Sequence, residues 1–241
     1  MQPKPQVLFA VPTFSGYVAY EFAGAMTIAA CLLTKHGIIN STLYLPGLQF
    51  VDVARNFLVT DFLQKHETKT HIFFIDDDVG GFPAEKVLEF VTRSEDVVAG
   101  IYPLRQDGPA QYPVMLEFSD GVLVEQNGLV KAKRIPMGFT CIRRKVIEKL
   151  AAAADTYLFA QKDDDVRTVF NIFQRGPLNG EYVGEDVMFS WLCTDFGIDL
   201  WVDPDVSFTH RGSKRWEGTF RNAVNSYFAG TNKVATAKAG R

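Results

Sequence analysis

The chain has 241 residues, 47% hydrophobic and 22% charged, with 20 phenylalanines and a formal net charge of -3. That length fits one large domain, the apolar content excludes a disordered chain, and the negative balance argues against coating nucleic acid through bulk charge. Cys31, Cys141 and Cys193 are far apart and form no Cys-x-x-Cys pair, so neither a disulfide framework nor a zinc site is indicated, and each reads as a small buried hydrophobe.

In chain order, the N-terminus lacks the basic, apolar and small-residue sections of a signal peptide. The apolar run 18–33 contains Glu21 and is too short to span a bilayer, so a cytoplasmic protein (host cytoplasm if viral) without its own membrane anchor is expected. Residues 7–11 are continuously apolar and end at Pro12, as a buried parallel strand should. A turn over 13–16 leads to a helix over 20–35 closed by Gly37, then to a strand over 42–45 and a helix over 50–64. Residues 71–75 make another apolar strand that runs directly into Asp76-Asp77-Asp78. Pro83 opens a helix, and 97–102 form the next strand. Alternation of this kind predicts an α/β fold with a mostly parallel sheet under helices on both faces.

The second half predicts short strands at 114–118, 122–125 and 129–134, the last two joined by Asn127-Gly128 as a hairpin. A strand at 139–143 and a helix over 145–154 follow. Residues 155–183 show little periodicity and read as a long loop, of the kind that is functional or mobile. Glu185-Asp186 open a helix that Gly197 stops, and strands at 200–202 and 206–209 end at His210. From Arg211 onward, seven basic residues face Glu217 alone, and 230–241 read as a flexible basic tail.

Three places carry chemistry. Asp76-Asp77-Asp78 crowd like charges at the mouth of a buried strand, which is unfavourable unless a cation sits there, and carboxylates suit Mg²⁺ and Mn²⁺. Ligands of open α/β sheets also bind beyond the carboxyl ends of the strands. Asp163-Asp164-Asp165 repeat the same letters with no strand ahead of them and read as surface loop. Glu185 and Asp186 lie where a helix dipole favours acids in any case. A lone strand-end His such as His210 is more often structural than a ligand.

Taken in order, a strand-end Asp-x-Asp, a mixed-strand insert, a Gly-Glu-Asp helix start and a strand-end His resemble the GT-A glycosyltransferases. The nearest likeness is to family-2-like enzymes of the small soluble bacterial and viral kind. It extends over residues 7–218 and includes the phrases Val53-Ala-Arg-Asn56, 96–103 and 138–144. The resemblance implies a single GT-A type α/β domain over 1–229, with a mostly parallel, Rossmann-like nucleotide-sugar half to about 103 and a small mixed-strand acceptor half from 104.

It further implies that Pro12 and Thr13 approach the nucleoside and that Asp76 and Asp77 meet ribose or sugar. Asp78, His210 and Asp76 would hold Mn²⁺ or Mg²⁺. Arg55 would lie near the donor phosphates or brace the acids, and Lys214 and Arg215 would add positive charge over the donor. Asp186, with Glu185 as second choice, would be the general base of an inverting transfer, although retaining relatives keep an acid nearby. The implied activity is transfer from a nucleotide-diphosphate sugar, UDP being the commonest, to an acceptor hydroxyl on a glycan, protein, small molecule or modified nucleic acid. A nucleotidyltransferase or sugar-phosphate pyrophosphorylase is a rival, weakened because the loop from Pro12 to Gly16 carries no Lys or Arg. A non-catalytic sugar-binding relative is another.

Overall fold

The computed structural model describes residues 4–160 and 166–226. The second acidic run, Asp163-Asp164-Asp165, and the basic tail 230–241 lie outside the described residues.

The first half alternates as its periodicity predicts. Strand β1 (Gln6–Thr13), helix α1 (Tyr20–Lys35), β2 (Ile39–Pro46), α2 (Val51–Lys65) and β3 (His71–Ile75) follow one another. Glu21 in the first turn of α1 and Lys35 in the last complement its dipole, and Gly37, at φ 70°, ends it. A two-residue strand β4 (Val79–Gly80), helix α3 (Ala84–Thr92) and β5 (Val97–Gly100) come next.

Short strands fill the middle: β6 (Met115–Leu116), β7 (Phe118–Ser119), β8 (Val122–Leu123), β9 (Glu125–Gln126) and β10 (Leu129–Arg134). Strand β11 (Phe139–Arg143) and helix α4 (Arg144–Ala151) close this part. The segment expected to be one long loop instead forms two hairpins, β12 (Thr156–Ala160) with β13 (Val166–Phe170), and β14 (Gly176–Leu178) with β15 (Glu181–Val183). Asn179-Gly180 turns the second of these at φ 51° and 86°, the same left-handed pair that Asn127-Gly128 adopts between β9 and β10. Helix α5 (Glu185–Asp195), β16 (Leu200–Asp203), β17 (Ser207–Arg211) and β18 (Arg215–Thr219) complete the described chain.

The main sheet runs β2-β1-β3-β11-β5-β16-β10-β6, with β9 paired to β10. This corrects the expected mostly parallel, Rossmann-like sheet of GT-A type. Pairings β1–β2, β1–β3 and β5–β16 are parallel, but β3–β11, β11–β5, β16–β10, β10–β6 and β10–β9 are antiparallel. The cause is β11: it comes from the second half of the chain, enters between β3 and β5, and runs against both. Alternation of strand and helix along a sequence does not say which strands become neighbours.

Side chains alternate across this sheet and build two cores. Leu8, Ala10, Ile72 and Phe74 face α2, α4 and α5, while Val7, Phe9, Phe73 and Ile75 face α1 and α3. Cys141 and Cys193 are buried as expected, but Cys31 is exposed on the outer face of α1. A smaller sheet, β18-β17-β4, sits at the carboxyl edge of β3. Among the described residues no helix is long and apolar enough to cross a membrane.

Candidate functional site

Strand β3 is buried along its whole length, and the chain leaves the core at Asp76. Three elements fix the acidic turn through its backbone. The Asp76 amide donates to the Gly138 carbonyl ahead of β11 at 3.0 Å, the Asp77 carbonyl accepts from Ala19 at the start of α1 at 2.9 Å, and the Asp78 carbonyl accepts from Arg211 on β17 at 2.8 Å. Burial lifts the Asp77 carboxyl above the usual carboxylate range; a hydrogen bond from Thr13 opposes this, and the charges of Asp78 and Asp76 add to it.

Arg55, on α2 and only 3% exposed, bridges two acids. Its Nη2 donates to both Asp76 oxygens, at 2.9 and 3.2 Å, and its Nη1 pairs with Glu185 at the start of α5. Burial alone would pull the guanidinium down, but the charges of Asp76 and Glu185 outweigh it and hold Arg55 above its ordinary value.

Asp78 points the other way. Its Oδ2 accepts from Arg105 at 2.6 Å, and its Oδ1 stands 3.6 Å from His210 Nε2. Strand β4 pairs antiparallel with β17 so that His210 lies opposite Val79, which brings the imidazole beside the acid. Since a carbonyl only accepts, the His210 Nδ1–H donates to Pro103 at 2.7 Å and Nε2 is left to face Asp78. A separation of 3.6 Å is too long for a hydrogen bond.

Two concavities adjoin the acids that Arg55 joins, one containing Asp76 and the other Asp186, the residue after Glu185. A cleft of about 180 Å³ at the end of β1 is lined by Pro12, Thr13, the exposed Phe14, and all three acids Asp76, Asp77 and Asp78. On the α5 side, a pocket of about 400 Å³ contains Asp186 and Arg134 among apolar residues. Asp186 Oδ1 accepts from the Val187 amide at 2.8 Å.

The fold thus gathers Pro12, Thr13, Arg55, Asp76, Asp77, Asp78, Glu185, Asp186 and His210 around one edge of the sheet. Lys214 pairs with Asp107 and lies over the Trp216 ring, and Arg215 pairs with Glu217. Among the described residues, neither shows an ion pair with the acidic turn. Arg105 and Tyr102 were missed from sequence. Tyr102 is buried, accepts the Gly138 amide at 3.2 Å, and has its phenol raised well above the ordinary value, first by burial and then by Asp76. The available signal was their position just beyond β5, at the same edge as Asp76. Gly138 has a specific role there: a Cβ would stand 2.5 Å from both Asp76 Oδ2 and the Tyr102 hydroxyl.

No family model and no curated protein matches the chain. Among solved structures, it is similar to A197 from STIV at 20% identity, over 90% of this chain and 91% of that one, with a TM-score of 0.52. A second similarity, to a glycosyltransferase involved in the glycosylation of the major capsid of PBCV-1, has 12% identity over 61% of this chain and 63% of that one, with a TM-score of 0.34. The likeness to A197 is one of fold.

Proposed function

We propose that the chain is a glycosyltransferase that moves a sugar from a nucleotide-diphosphate donor to an acceptor hydroxyl. The observation that carries this reading is the pair Asp78–His210, two unlike ligand atoms 3.6 Å apart at the carboxyl edge of the sheet.

That spacing is too wide for a hydrogen bond and suits two neighbouring ligands of one small cation. Among the described residues no three His, Cys, Asp or Glu side chains form a metal cage. Mg²⁺ and Mn²⁺ do not require one, since they are commonly held by one or two protein groups together with phosphate oxygens and water. Asp78 and His210 would hold the ion, with Asp76 two residues before Asp78 in the chain. When bound, it supplies positive charge to the departing diphosphate.

The residues then divide the work. The cleft at Pro12, Thr13 and Phe14 receives the nucleoside, and Asp76 and Asp77 meet ribose or sugar hydroxyls. Arg55 is a positioning residue that keeps Asp76 and Glu185 in register. Glu185 is committed to Arg55, which leaves Asp186 to accept the acceptor proton. The acceptor oxygen bonds to the anomeric carbon, the bond from that carbon to the diphosphate oxygen breaks, and its electron pair leaves with the nucleoside diphosphate. Arg105, rather than Lys214 or Arg215, is the cation already in contact with Asp78.

Incubation with UDP-sugars and Mn²⁺ tests the reading. Release of UDP, abolished in Asp78→Asn, is expected. Release of pyrophosphate, or UDP release that survives Asp78→Asn undiminished, overturns it.

A further inference from the structure

Arg134 stands apart from the other arginines. Among the described residues, every other arginine forms an ion pair with a carboxylate: Arg55 with Asp76, Arg105 with Asp78, Arg221 with Asp205, and so on. Arg134 has no ion pair and no side-chain hydrogen bond among the described residues. It is exposed at the last position of β10 and borders the same pocket as Asp186.

The two charged residues are held at fixed positions. The Ile135 amide donates to Ser190 Oγ at 3.1 Å, and the Ser190 hydroxyl donates to the Asp186 carbonyl at 2.8 Å, so a fully buried serine ties the end of β10 to the first turn of α5. The rest of the lining is largely apolar, from Tyr112, Pro113, Val114, Met115, Ile135 and Val187.

We propose that this pocket takes an acceptor with an apolar face and an anionic group, a carboxylate or phosphate, and that Arg134 is the residue selecting that anion. The proposal rests on Asp186 being the base of the transfer. An unpaired guanidinium offers a planar fork of donors that matches either anion in bidentate fashion. Asp186 repels the same anion. An acceptor bearing one therefore lies with its charge on Arg134 and away from Asp186, which leaves a hydroxyl to meet the carboxylate, the orientation proton removal requires.

The probes are phenyl β-D-glucuronide and phenyl β-D-glucoside, which share a ring and an apolar aglycone and differ by one carboxylate. Their binding to the full chain is measured by NMR titration without donor. The native protein is expected to prefer the glucuronide by ~10-fold or more, the scale of one charge-assisted hydrogen bond. Arg134→Gln should remove the preference, and Arg134→Lys should keep part of it, with melting temperatures unchanged because the side chain is exposed. Equal affinities, no binding of either probe, or a preference that survives Arg134→Gln overturns the proposal. UDP release with no preference between the probes sinks the anion selection alone. A preference that depends on Arg134 in a protein releasing no UDP sinks the transferase reading and leaves the pocket as an anion-binding site.

Discussion

His210 Nε2 stands 3.6 Å from Asp78 Oδ1, and both side chains owe their meeting to two residues of backbone pairing between Val79–Gly80 and β17. If the pair holds a cation against a developing diphosphate charge, His210→Ala should lower kcat by ~10²-fold or more, comparable to Asp78→Asn. The check is steady-state UDP release together with a circular dichroism spectrum. A folded His210→Ala variant with native turnover contradicts a shared role.

Asp186→Asn separates chemistry from donor binding. The variant should lose transfer by ~10²-fold or more while the thermal shift produced by UDP-sugar and Mn²⁺ stays native, because Asp186 lines a different concavity from the acidic cleft. Loss of the thermal shift would move Asp186 to the donor side.

Arg55 bears on stability as much as on function. Replacing it with Met leaves Asp76 and Glu185 without their shared partner in a site where the arginine side chain is 4% exposed. The expected cost is about 3–5 kcal/mol, read as a lowered urea midpoint, with Arg55→Lys recovering part of it. A midpoint within error of the native value would show that the bridge contributes little.

Two glycines should respond in opposite directions. Gly80 lies against α1, where a Cβ would overlap the backbone of Glu21 and Phe22, and backbone cannot rotate aside; Gly80→Ala should destabilise by about 1–3 kcal/mol. Gly24 sits on the exposed face of the same helix with open space around it, and Gly24→Ala should stabilise by roughly 0.5–1 kcal/mol. Chemical denaturation of both variants checks the close approach of α1 to β4.

His71 predicts an acid-labile core. Burial, with Arg143 adding to it, lowers its pKa from an ordinary 6.5 to about 4. Below pH 6.5 the unfolded chain takes up a proton that the folded ring refuses until about pH 4, so this stability is complete above pH 6.5 and lost as pH falls through that window. The loss amounts to about 3 kcal/mol by pH 4. In His71→Leu the slope of unfolding free energy between those pH values should flatten; an unchanged slope assigns the effect elsewhere.

Local signals were read well where they were strong. Residues 71–75 and 20–35 match β3 and α1 to the residue, because a continuous apolar run ended by acids and a helix stopped by Gly37 are decided by near neighbours. Asn127-Gly128 announced its hairpin, yet the same dipeptide at Asn179-Gly180 was passed over because β14 and β15 are each three residues long and too short to show alternation. Within the site, the acids at 76–78 and 185–186 were legible from their positions at a strand end and a helix start. Arg105 and Arg134 were not, since a single cation in a loop or at a strand end looks like any solvated residue until its surroundings are known.

The sequence by itself determined where the chain leaves the core, which residues are acidic at that point, and which segments of the first half are strands or helices, since periodicity and turn chemistry act over a few residues. Only the tertiary structure decided that β11 enters the sheet antiparallel between β3 and β5, that Arg55 joins Asp76 to Glu185, and that His210 reaches Asp78. Backbone hydrogen bonds between strands are the same whatever the side chains, so the letters along one strand do not name its partner. That choice is made by the whole core packing at once.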